Sequence, residues 1–278
     1  MGWSVALGIA VLVITRVAIT ANSFRLSRRY SGALPNNAHI DFRSTAWLFF
    51  DEFSSSMLSS SWTMAFCAFN KRRVNNPAGL PVLLIHGYGC NSGYWQAMSK
   101  ALTAARISHH AMTLEPVFAS IDDYLPALHL AIEELLADCA STSAILIGHS
   151  MGGLVCRAYL RKHGSAHIAK VITIGTPHHG TALANHGIGK NVQQMALEFR
   201  ADGTASSLWL RALNAGETAA TRALIVSIYS HHDNIIAPQL SCYLDGATNI
   251  AVDGVGHVAL ARQRRVLQHV VEQIVAIA

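Results

Sequence analysis

Short apolar runs alternate with amphipathic stretches from residue 80 to the end of the chain. The stretches between the runs carry leucine and alanine at helical spacing, as in "SIDDYLPALHLAIEELLADCA". Strands that are apolar on both faces and are separated by helices are typical of a mostly parallel sheet covered on both sides. The pattern therefore predicts an α/β fold with a doubly wound, mostly parallel sheet, whose strands are "LPVLLIHG", "SHHAMTLEP", "SAILIGHS", "KVITIGTP", "ALIVSIYS" and "TNIAVDG".

The alternation stops between residues 177 and 222. This interval has loop signals and two predicted helices, "KNVQQMALEF" and "ASSLWLRALN", but no convincing strand. An insertion of this length between strands is usually functional. Residues 178–222 are therefore predicted to form a small helical cap or lid at the edge where the strands end. Further upstream, "STAWLFFDEFSSSML" predicts a helix, and one strand is expected near "WTMAFCAF".

The first 30 residues are predicted to form a hydrophobic amino-terminal helix, and residues 31–278 the main domain. "GWSVALGIAVLVIT" and "VAITAN" flank Arg16 and together reach about 20 residues, the length of a membrane-crossing helix. No basic side chain precedes the run and "AITANS" is a poor cleavage site, so an uncleaved membrane anchor is preferred to a processed signal or a buried helix. The membrane side stays open. Arg25, Arg28 and Arg29 would keep the body cytoplasmic, whereas processing would make it secreted or periplasmic.

Most of the net charge of +5 comes from the amino-terminal region. Residues 1–43 hold five arginines and one aspartate, so the remainder carries 16 basic and 15 acidic side chains. Without a basic stripe, the chain is not expected to bind nucleic acid. The five cysteines are scattered, and the paired histidines lack the i, i+4 spacing of metal ligands. We therefore predict no metal site and no disulfide framework.

The pentapeptide "GHSMG" fits the pattern G-x-S-x-G and lies between a predicted strand and a predicted helix. A serine at such a sharp turn has a strained backbone, and bulky neighbours two residues before and after it would collide across the bend. Ser150 is therefore the candidate nucleophile, with its hydroxyl lifted out of the sheet. The same turn aims the amide of Met151 at the reacting atom, near the positive end of the helix.

A serine hydroxyl needs a base, and the base needs an acid to orient it. His257 in "VDGVGHVALA" follows the last predicted strand and is the candidate base. Asp233 follows the preceding strand and is the candidate acid, with Asp245 and Asp253 as alternatives. The chain order Ser, Asp, His is the order expected of the nucleophile-elbow fold.

The oxyanion formed by serine attack needs two donors that already point at it. The amide of Met151 is one. "IHGYG" lies after an early strand and offers the amide of Tyr88 as the second, with flanking glycines that allow close backbone approach. His86 in this loop is expected to brace the loop rather than to carry protons.

These motifs together resemble the α/β-hydrolase superfamily, in particular its bacterial serine esterases and lipases. The resemblance covers about residues 80–270 and rests on "HGYG", "GHSMGG", "GTPHHGT", "SHHDNIIAP" and "GVGHVAL". It implies an α/β-hydrolase domain and a Ser-His-Asp acyl-enzyme mechanism on ester substrates without a cofactor. For His178 and His179 a role in bracing loops is preferred.

The resulting expectation is a carboxylic-ester hydrolase, an esterase or lipase acting on lipid-like or medium-chain acyl esters. Four large apolar residues near the expected opening are candidate acyl-pocket or cap residues: Trp95, Met195, Leu208 and Trp209. An acyltransferase would use the same residues, and the pair Tyr88 and Met151 also resembles the oxyanion pair of some polyester hydrolases. A hydrolase of the haloperoxidase or C–C bond type and a non-catalytic, membrane-tethered binding module are further alternatives.

Overall fold

A seven-stranded sheet runs through the centre of the structure, a computed structural model that describes residues 2–33, 35–200 and 203–277. Its spatial order is β1-β3-β2-β4-β5-β8-β9, and all neighbours are parallel except β1 and β3. This confirms the predicted doubly wound, mostly parallel sheet. The strands are β1 (Lys71–Arg72), β2 (Val82–Ile85), β3 (His109–Met112), β4 (Ala144–His149), β5 (Ile168–Ile174), β6 (Leu197–Arg200), β7 (Gly203–Ser206), β8 (Ile225–Ser230) and β9 (Thr248–Val252).

Helices cover both faces of this sheet and extend beyond it at the amino terminus. Short 3-10 turns precede several of them, for example before α5 at Ile121–Tyr124. The helices are α1 (Gly2–Tyr30), α2 (Phe42–Leu58), α3 (Met64–Phe66), α4 (Gln96–Ala104), α5 (Leu125–Cys139), α6 (Met151–His163), α7 (Lys190–Met195), α8 (Leu208–Ala215), α9 (Ala219–Ala223) and α10 (Arg264–Val275).

The central strands are apolar on both faces because each face packs against a separate core. In β2, Leu83 and Ile85 belong to one cluster, which includes residues of α5 and α6. Val82 and Leu84 point the other way, into a cluster with residues of α4 and α10. Successive side chains of a strand point to opposite faces, so the uninterrupted apolar run seen in the sequence is what a doubly covered strand requires.

The cap segment, residues 178–222, contains a β-hairpin as well as helices. The helix predicted over "KNVQQMALEF" ends at Met195, and Ala196 is already extended, with φ −71° and ψ 153°. The following residues alternate between apolar and charged and pair as β6 with β7, antiparallel. The expectation that this interval holds no strand was wrong, because a period-2 pattern four residues long is hidden at the end of a helical one.

The segment before β1 also differs from the expected strand near residues 62–69. A π-helical turn over Ser59–Thr63 prolongs α2 and leads into α3, so the chain stays helical as far as Phe66. The edge strand comes later, at β1, where it pairs antiparallel with β3. Aromatic and β-branched residues such as those of "WTMAFCAF" favour strands only weakly when no neighbouring strand is available to pair with them.

Helix α1 is long, and its two halves have different surroundings. By length and composition, the stretch from Ala6 to Tyr30 is able to cross a membrane, a test that signal sequences and buried helices also pass. The first turns carry large exposed apolar side chains. The second half lies against α2: Arg16 donates to the hydroxyls of Ser56 and Ser60, and the rings of Phe24 and Phe49 lie 5.8 Å apart.

A fully buried ion pair ties the cap segment to α6. The guanidinium of Arg157 donates through Nε and Nη2 to the two carboxylate oxygens of Glu217, at 2.7 and 2.6 Å. It also donates to the Asn214 side chain, and both side chains of the ion pair are entirely shielded from solvent. Leaving one buried charge without its partner is costly, typically about 3 to 5 kcal/mol.

We therefore expect Glu217→Gln to lower the free energy of unfolding by about 3 kcal/mol, because it leaves the Arg157 charge uncompensated. Urea unfolding followed by circular dichroism measures the change. Glu134→Gln is the control, since Glu134 pairs with Lys71 on an exposed surface and its loss should leave the unfolding midpoint nearly unchanged. Equal effects of the two substitutions would contradict this account.

Candidate active site

Ser150 occupies a strained turn between β4 and α6. Its φ of 55° and ψ of −123° lie in a region that L-residues rarely adopt. The turn requires glycine at positions 148 and 152. A Cβ at Gly152 would collide with the Ile85 carbonyl, and one at Gly148 with the backbone of the first turn of α6. The Ser150 amide donates to the Ile174 carbonyl at 2.9 Å, which fixes the turn against β5.

Asp233 and His257 are joined by a hydrogen bond of 2.8 Å between Oδ2 of the carboxylate and Nδ1 of the ring. The second oxygen, Oδ1, accepts from the amides of Ile235 and Ile236, both at 2.8 Å. The carboxylate is fully buried, and these amides compensate part of the solvation it has lost. The pair lies after β8 and β9, at the same edge of the sheet at which β4 ends.

The alternative acids lie elsewhere. Asp253 accepts from His231 at 2.9 Å, and the carbonyl of Asp245 accepts from Arg222. Of the three aspartates that the sequence left open, Asp233 is therefore the one that contacts His257.

The environment of His257 raises the pKa of its imidazole above 6.5. Burial alone lowers the pKa, because it disfavours the charged ring. The negative charge of Asp233, its hydrogen bond and, to a lesser degree, the charge of Glu52 outweigh burial. A base with a pKa above 6.5 accepts a proton from serine more readily, provided that the pH keeps the ring neutral.

His149 packs between Tyr94 and His257, with ring centroids 4.6 and 4.7 Å away. Burial holds the pKa of His149 well below 6.5, so the ring is neutral. Its Nε2 lies 3.1 Å from the His257 carbonyl, which can only accept, and therefore carries the proton. The sequence analysis gave this histidine no role, although it directly precedes the nucleophile candidate.

The loop after β2 places Tyr88 beside Ser150 in the wall of one cavity. The Tyr88 hydroxyl donates to the Ile188 carbonyl of the cap segment at 2.8 Å, so the loop and the cap segment are connected. Met151, the other candidate oxyanion donor, is buried and is the first residue of α6. Their roles in binding an oxyanion remain predictions.

His86 braces the same loop. Its Nε2 accepts from the Leu114 amide and its Nδ1 donates to the Gly87 carbonyl. Burial lowers its pKa to about 4, so the ring stays neutral near pH 7. His178 is buried in the same way between Arg157, Thr173 and Ser227. Both positions fit the bracing role expected for them.

The cavity beside Ser150 has a volume of about 480 Å³, which is in the range of small-molecule sites. Its wall combines residues of α1, the cap segment and the loop after β8. The lining residues are Ile19, Asn22, Ser23, Leu26, Tyr88, Ser150, Pro177, Thr181, Leu183, Ala184, His186, Gly187, Val192, Met195, Ile235 and Ile236. Apolar residues are in the majority, and Ser150 is one of six residues in the wall with a polar side-chain group.

Helix α1 also supports the loop that carries Asp233. Ser27 Oγ donates to the Asp233 carbonyl at 3.0 Å, and Ser23 Oγ accepts from the Asn234 side chain at 2.8 Å. Gln239 bridges Ser27 and the Asp233 carbonyl, at 2.9 Å from each. These contacts were not predicted from the sequence. The available signal was that three small polar residues, at 20, 23 and 27, share one face of α1.

Of the four candidate pocket residues, Met195 lines the cavity, whereas the other three lie elsewhere. Trp95 is fully buried in the core formed with α4 and α10. Leu208 is 71% exposed at the start of α8. The Trp209 Nε1 donates to Asp122 at 2.6 Å, and its ring faces Arg161. Trp95 is therefore a core residue, whereas Leu208 and Trp209 lie on α8 of the cap segment without lining the cavity. A large apolar side chain in sequence does not reveal which cavity it faces.

Within the described residues, no group of three or more His, Cys, Asp or Glu side chains could hold a metal ion.

Comparison with known proteins gives one family whose sequence profile matches this chain. The profile is described as a PGAP1-like alpha/beta domain and matches residues 76–239. The matched range contains Ser150 and Asp233 and ends before His257.

Two curated relatives match over shorter ranges. A pimeloyl-(acyl-carrier protein) methyl ester esterase of Vibrio cholerae is 30% identical over 98 residues, 35% of this chain and 37% of the relative. A triacylglycerol lipase of Pseudarthrobacter phenanthrenivorans is 32% identical over 114 residues, 38% of this chain and 35% of the relative. The chain thus matches little more than a third of the length of these relatives.

Among solved structures, the mature lipase BlEst2 of Bacillus licheniformis is similar in fold. The TM-score is 0.63 at 17% sequence identity, and the match covers 74% of this chain and 97% of the lipase. At this identity the likeness supports the fold alone.

The raised pKa of His257 generates a prediction for the reactivity of Ser150. A fluorophosphonate reacts with serine only when the base is neutral, so the labelling rate should fall as the pH drops, with a midpoint above pH 6.5. Rate constants measured by gel fluorescence between about pH 5 and 9 test this. Asp233→Asn should lower the rate and move the midpoint downward, because it removes the charge that raises the pKa. A wild-type midpoint below 6.5 would contradict the assignment.

Proposed function

The chain belongs to the family of PGAP1-like alpha/beta domains, within the α/β-hydrolase superfamily, and from this membership we propose that it is a serine carboxylic-ester hydrolase. The observation that carries the proposal is the hydrogen bond between Asp233 and His257 at the sheet edge where Ser150 occupies its strained turn. The esterase and lipase named among its relatives support the same reaction class.

In the proposed reaction, Ser150 Oγ attacks the ester carbonyl while His257 Nε2 takes the hydroxyl proton. Asp233 holds the ring through Nδ1 and stabilises the imidazolium. The amides of Tyr88 and Met151 bind the negative oxygen of the tetrahedral intermediate. The C–O bond then breaks, the alcohol leaves with the proton from His257, and an acyl-enzyme remains. Water attacks this ester by the same route, which releases the acid and restores Ser150.

The cavity favours an apolar acyl group as the substrate portion held beside Ser150. Side chains such as those of Leu26, Val192 and Ile236 can contact a hydrocarbon chain. They carry no charge that could pair with an ionic group. Burying hydrocarbon contributes about 0.8 kcal/mol for each methylene removed from water. We therefore assign lipid-like or medium-chain acyl esters as substrates.

A panel of p-nitrophenyl esters of increasing acyl length, assayed with the full chain in detergent, tests this function. We expect hydrolysis with a maximum at medium acyl length. Each added methylene strengthens binding only until the acyl chain fills the cavity. Ser150→Ala should lower kcat by on the order of 10⁶. Products analysed with a competing alcohol present distinguish a hydrolase from an acyltransferase.

Ser61→Ala is the matched control, because Ser61 is exposed. It should retain the wild-type rate. No turnover of any ester, or a Ser150→Ala variant that keeps its rate, would exclude the proposed function.

We further propose that the first turns of α1 attach the protein to a membrane. Large apolar side chains there are exposed, namely those of Leu7, Ile9, Val11, Leu12 and Ile14. Large exposed apolar surfaces mark sites that meet a membrane or a protein partner. The arginines at 25, 28 and 29 follow on the same helix and can interact with anionic headgroups. The membrane side is not assigned.

Substituting Leu7→Glu together with Ile14→Glu should move the protein from the membrane to the soluble fraction, because each buried carboxylate is strongly disfavoured in lipid. Hydrolysis of a short, soluble ester should stay unchanged, since neither side chain lines the cavity. Leu130→Glu with Val275→Glu is the control, as these side chains are similarly exposed but lie on α5 and α10. Equal partition of all three proteins would remove the membrane assignment.

A further inference from the structure

A buried glutamate contacts the loop that carries His257. Glu52 is only 2% exposed and shares the buried face of α2 with Leu48 and Ser55. One carboxylate oxygen accepts from the Val258 amide at 3.1 Å and the other from the Ala259 amide at 3.0 Å. Both oxygens of this carboxylate are therefore bound to the two residues that follow His257.

The backbone around His257 is held mainly by side chains from other elements. The His257 amide donates to Asn234 Oδ1 at 2.9 Å, so three successive amides have side-chain acceptors. The His257 carbonyl lies 3.1 Å from His149 Nε2, and the Val258 carbonyl accepts from the Tyr94 hydroxyl at 3.2 Å. A loop without regular strand or helix partners needs such contacts to hold one conformation.

The contact between Glu52 and this loop is tight. A Cβ added to Gly256 would lie 2.5 Å from Glu52 Oε2 and 2.7 Å from the carboxyl carbon. The loop thus approaches the carboxylate to a distance that only a glycine backbone permits. A small displacement of either partner would move the other.

Burying a carboxylate costs free energy, and the partners that the structure shows for the Glu52 oxygens are two neutral amides, which offset this cost less than an opposite charge in direct contact would. Burial raises the pKa of Glu52, whereas the two amides and the charge of His257 lower it. The titratable groups that interact with it are Asp233 and His257, from the loops after β8 and β9, and Tyr94, from the 3-10 turn before α4. Stability alone would favour an apolar side chain here, which points to a role in the neighbouring site.

We propose that Glu52 is a positioning residue for His257: its carboxylate fixes the two following amides and so holds the imidazole in line with Asp233 and Ser150. The inference rests on the proposed function, because it gives the imidazole a part in catalysis. It adds that α2, which lies outside the residues matched by the family, contributes to the reaction without touching the substrate.

Glu52→Gln tests the proposal with almost no change in size. The glutamine oxygen replaces one acceptor, but its NH₂ group faces the second amide, so one of the two contacts is lost. Displacing a catalytic group by about 1 Å costs on the order of 10²-fold in rate. We expect kcat to fall about 10- to 100-fold while KM stays within about twofold, because the cavity wall is untouched.

The matched control is Asp51→Asn. Asp51 is the preceding residue on α2, and its carboxylate lies 3.5 Å from the Gln263 side chain, whereas the amides that follow His257 donate to Glu52. This substitution removes the same charge from the same helix and should leave kcat unchanged. A loss of kcat in Asp51→Asn as large as in Glu52→Gln would overturn the proposal, since it would show a general effect of perturbing α2.

A double-mutant cycle separates positioning from a structural effect. In an Asp233→Asn background the imidazole is no longer oriented, so Glu52→Gln should cost less than about threefold in kcat. The same fold loss in both backgrounds would contradict action through His257.

Gly256→Ala is a second variant that crowds the same carboxylate from the loop side. It should lower kcat alone and add little to Glu52→Gln, and it keeps the test available if Glu52→Gln does not fold.

A readout without substrate distinguishes failure of this inference from failure of the proposed function. The proton on Nδ1 of His257, shared with Asp233, gives its own downfield NMR signal. That signal should shift or broaden in Glu52→Gln and remain in Asp51→Asn, whether or not any ester is hydrolysed. An unchanged signal in Glu52→Gln would overturn the inference, whereas an inactive wild type with the expected shift would count only against the ester hydrolase.

Discussion

The burial of Asp233 is the constraint on which the arrangement around the sheet edge depends. A carboxylate removed from water must recover its lost solvation from hydrogen bonds or from an opposite charge. Two amides and the His257 ring supply those contacts. The loop that offers them is itself held at the Asp233 carbonyl by Ser27 and Gln239. The contacts to the Asp233 carbonyl therefore hold the loop in the conformation in which its amides bind the carboxylate.

The two amino-terminal helices provide many of the contacts that hold these loops. One helix supports the loop of Asp233, and the other supports the loop of His257. Helix α1 supports the loop of Asp233 through Ser23 and Ser27, and α2 supports the loop of His257 through Glu52. They also pack on each other, through Arg16 and the ring pair of Phe24 and Phe49. A protein shortened by its first 25 residues would lose part of the cavity wall together with the contact at Ser23. Loss of activity on such a truncation would not separate membrane attachment from catalysis.

The sequence predicted the sheet well because its signals are local, and the signals for the candidate nucleophile, acid and base, which remain predictions, are local too. Apolar runs that are buried on both faces mark parallel strands, and strand ends mark the site edge. The "GHSMG" turn carries its constraint in the two glycines around Ser150. The order of the strands then favoured Asp233 and His257, with Asp245 and Asp253 left as alternative acids, and the hydrogen bond between Asp233 and His257 agrees with that preference. Periodicity failed where two patterns meet, as at Met195, where a helix gives way at once to a strand.

Residues that act through tertiary contacts left weaker signals. Nothing in the neighbourhood of Trp95 or Trp209 indicates that one ring enters the core and the other binds Asp122, because both outcomes suit a large apolar ring with one donor. Glu52 and Ser23 are different, since each places a polar group on the buried face of a helix. Such a placement costs free energy unless the polar group finds a hydrogen-bond partner elsewhere in the fold. Polar residues on the buried face of a helix therefore mark the positions at which the two amino-terminal helices contribute to the site.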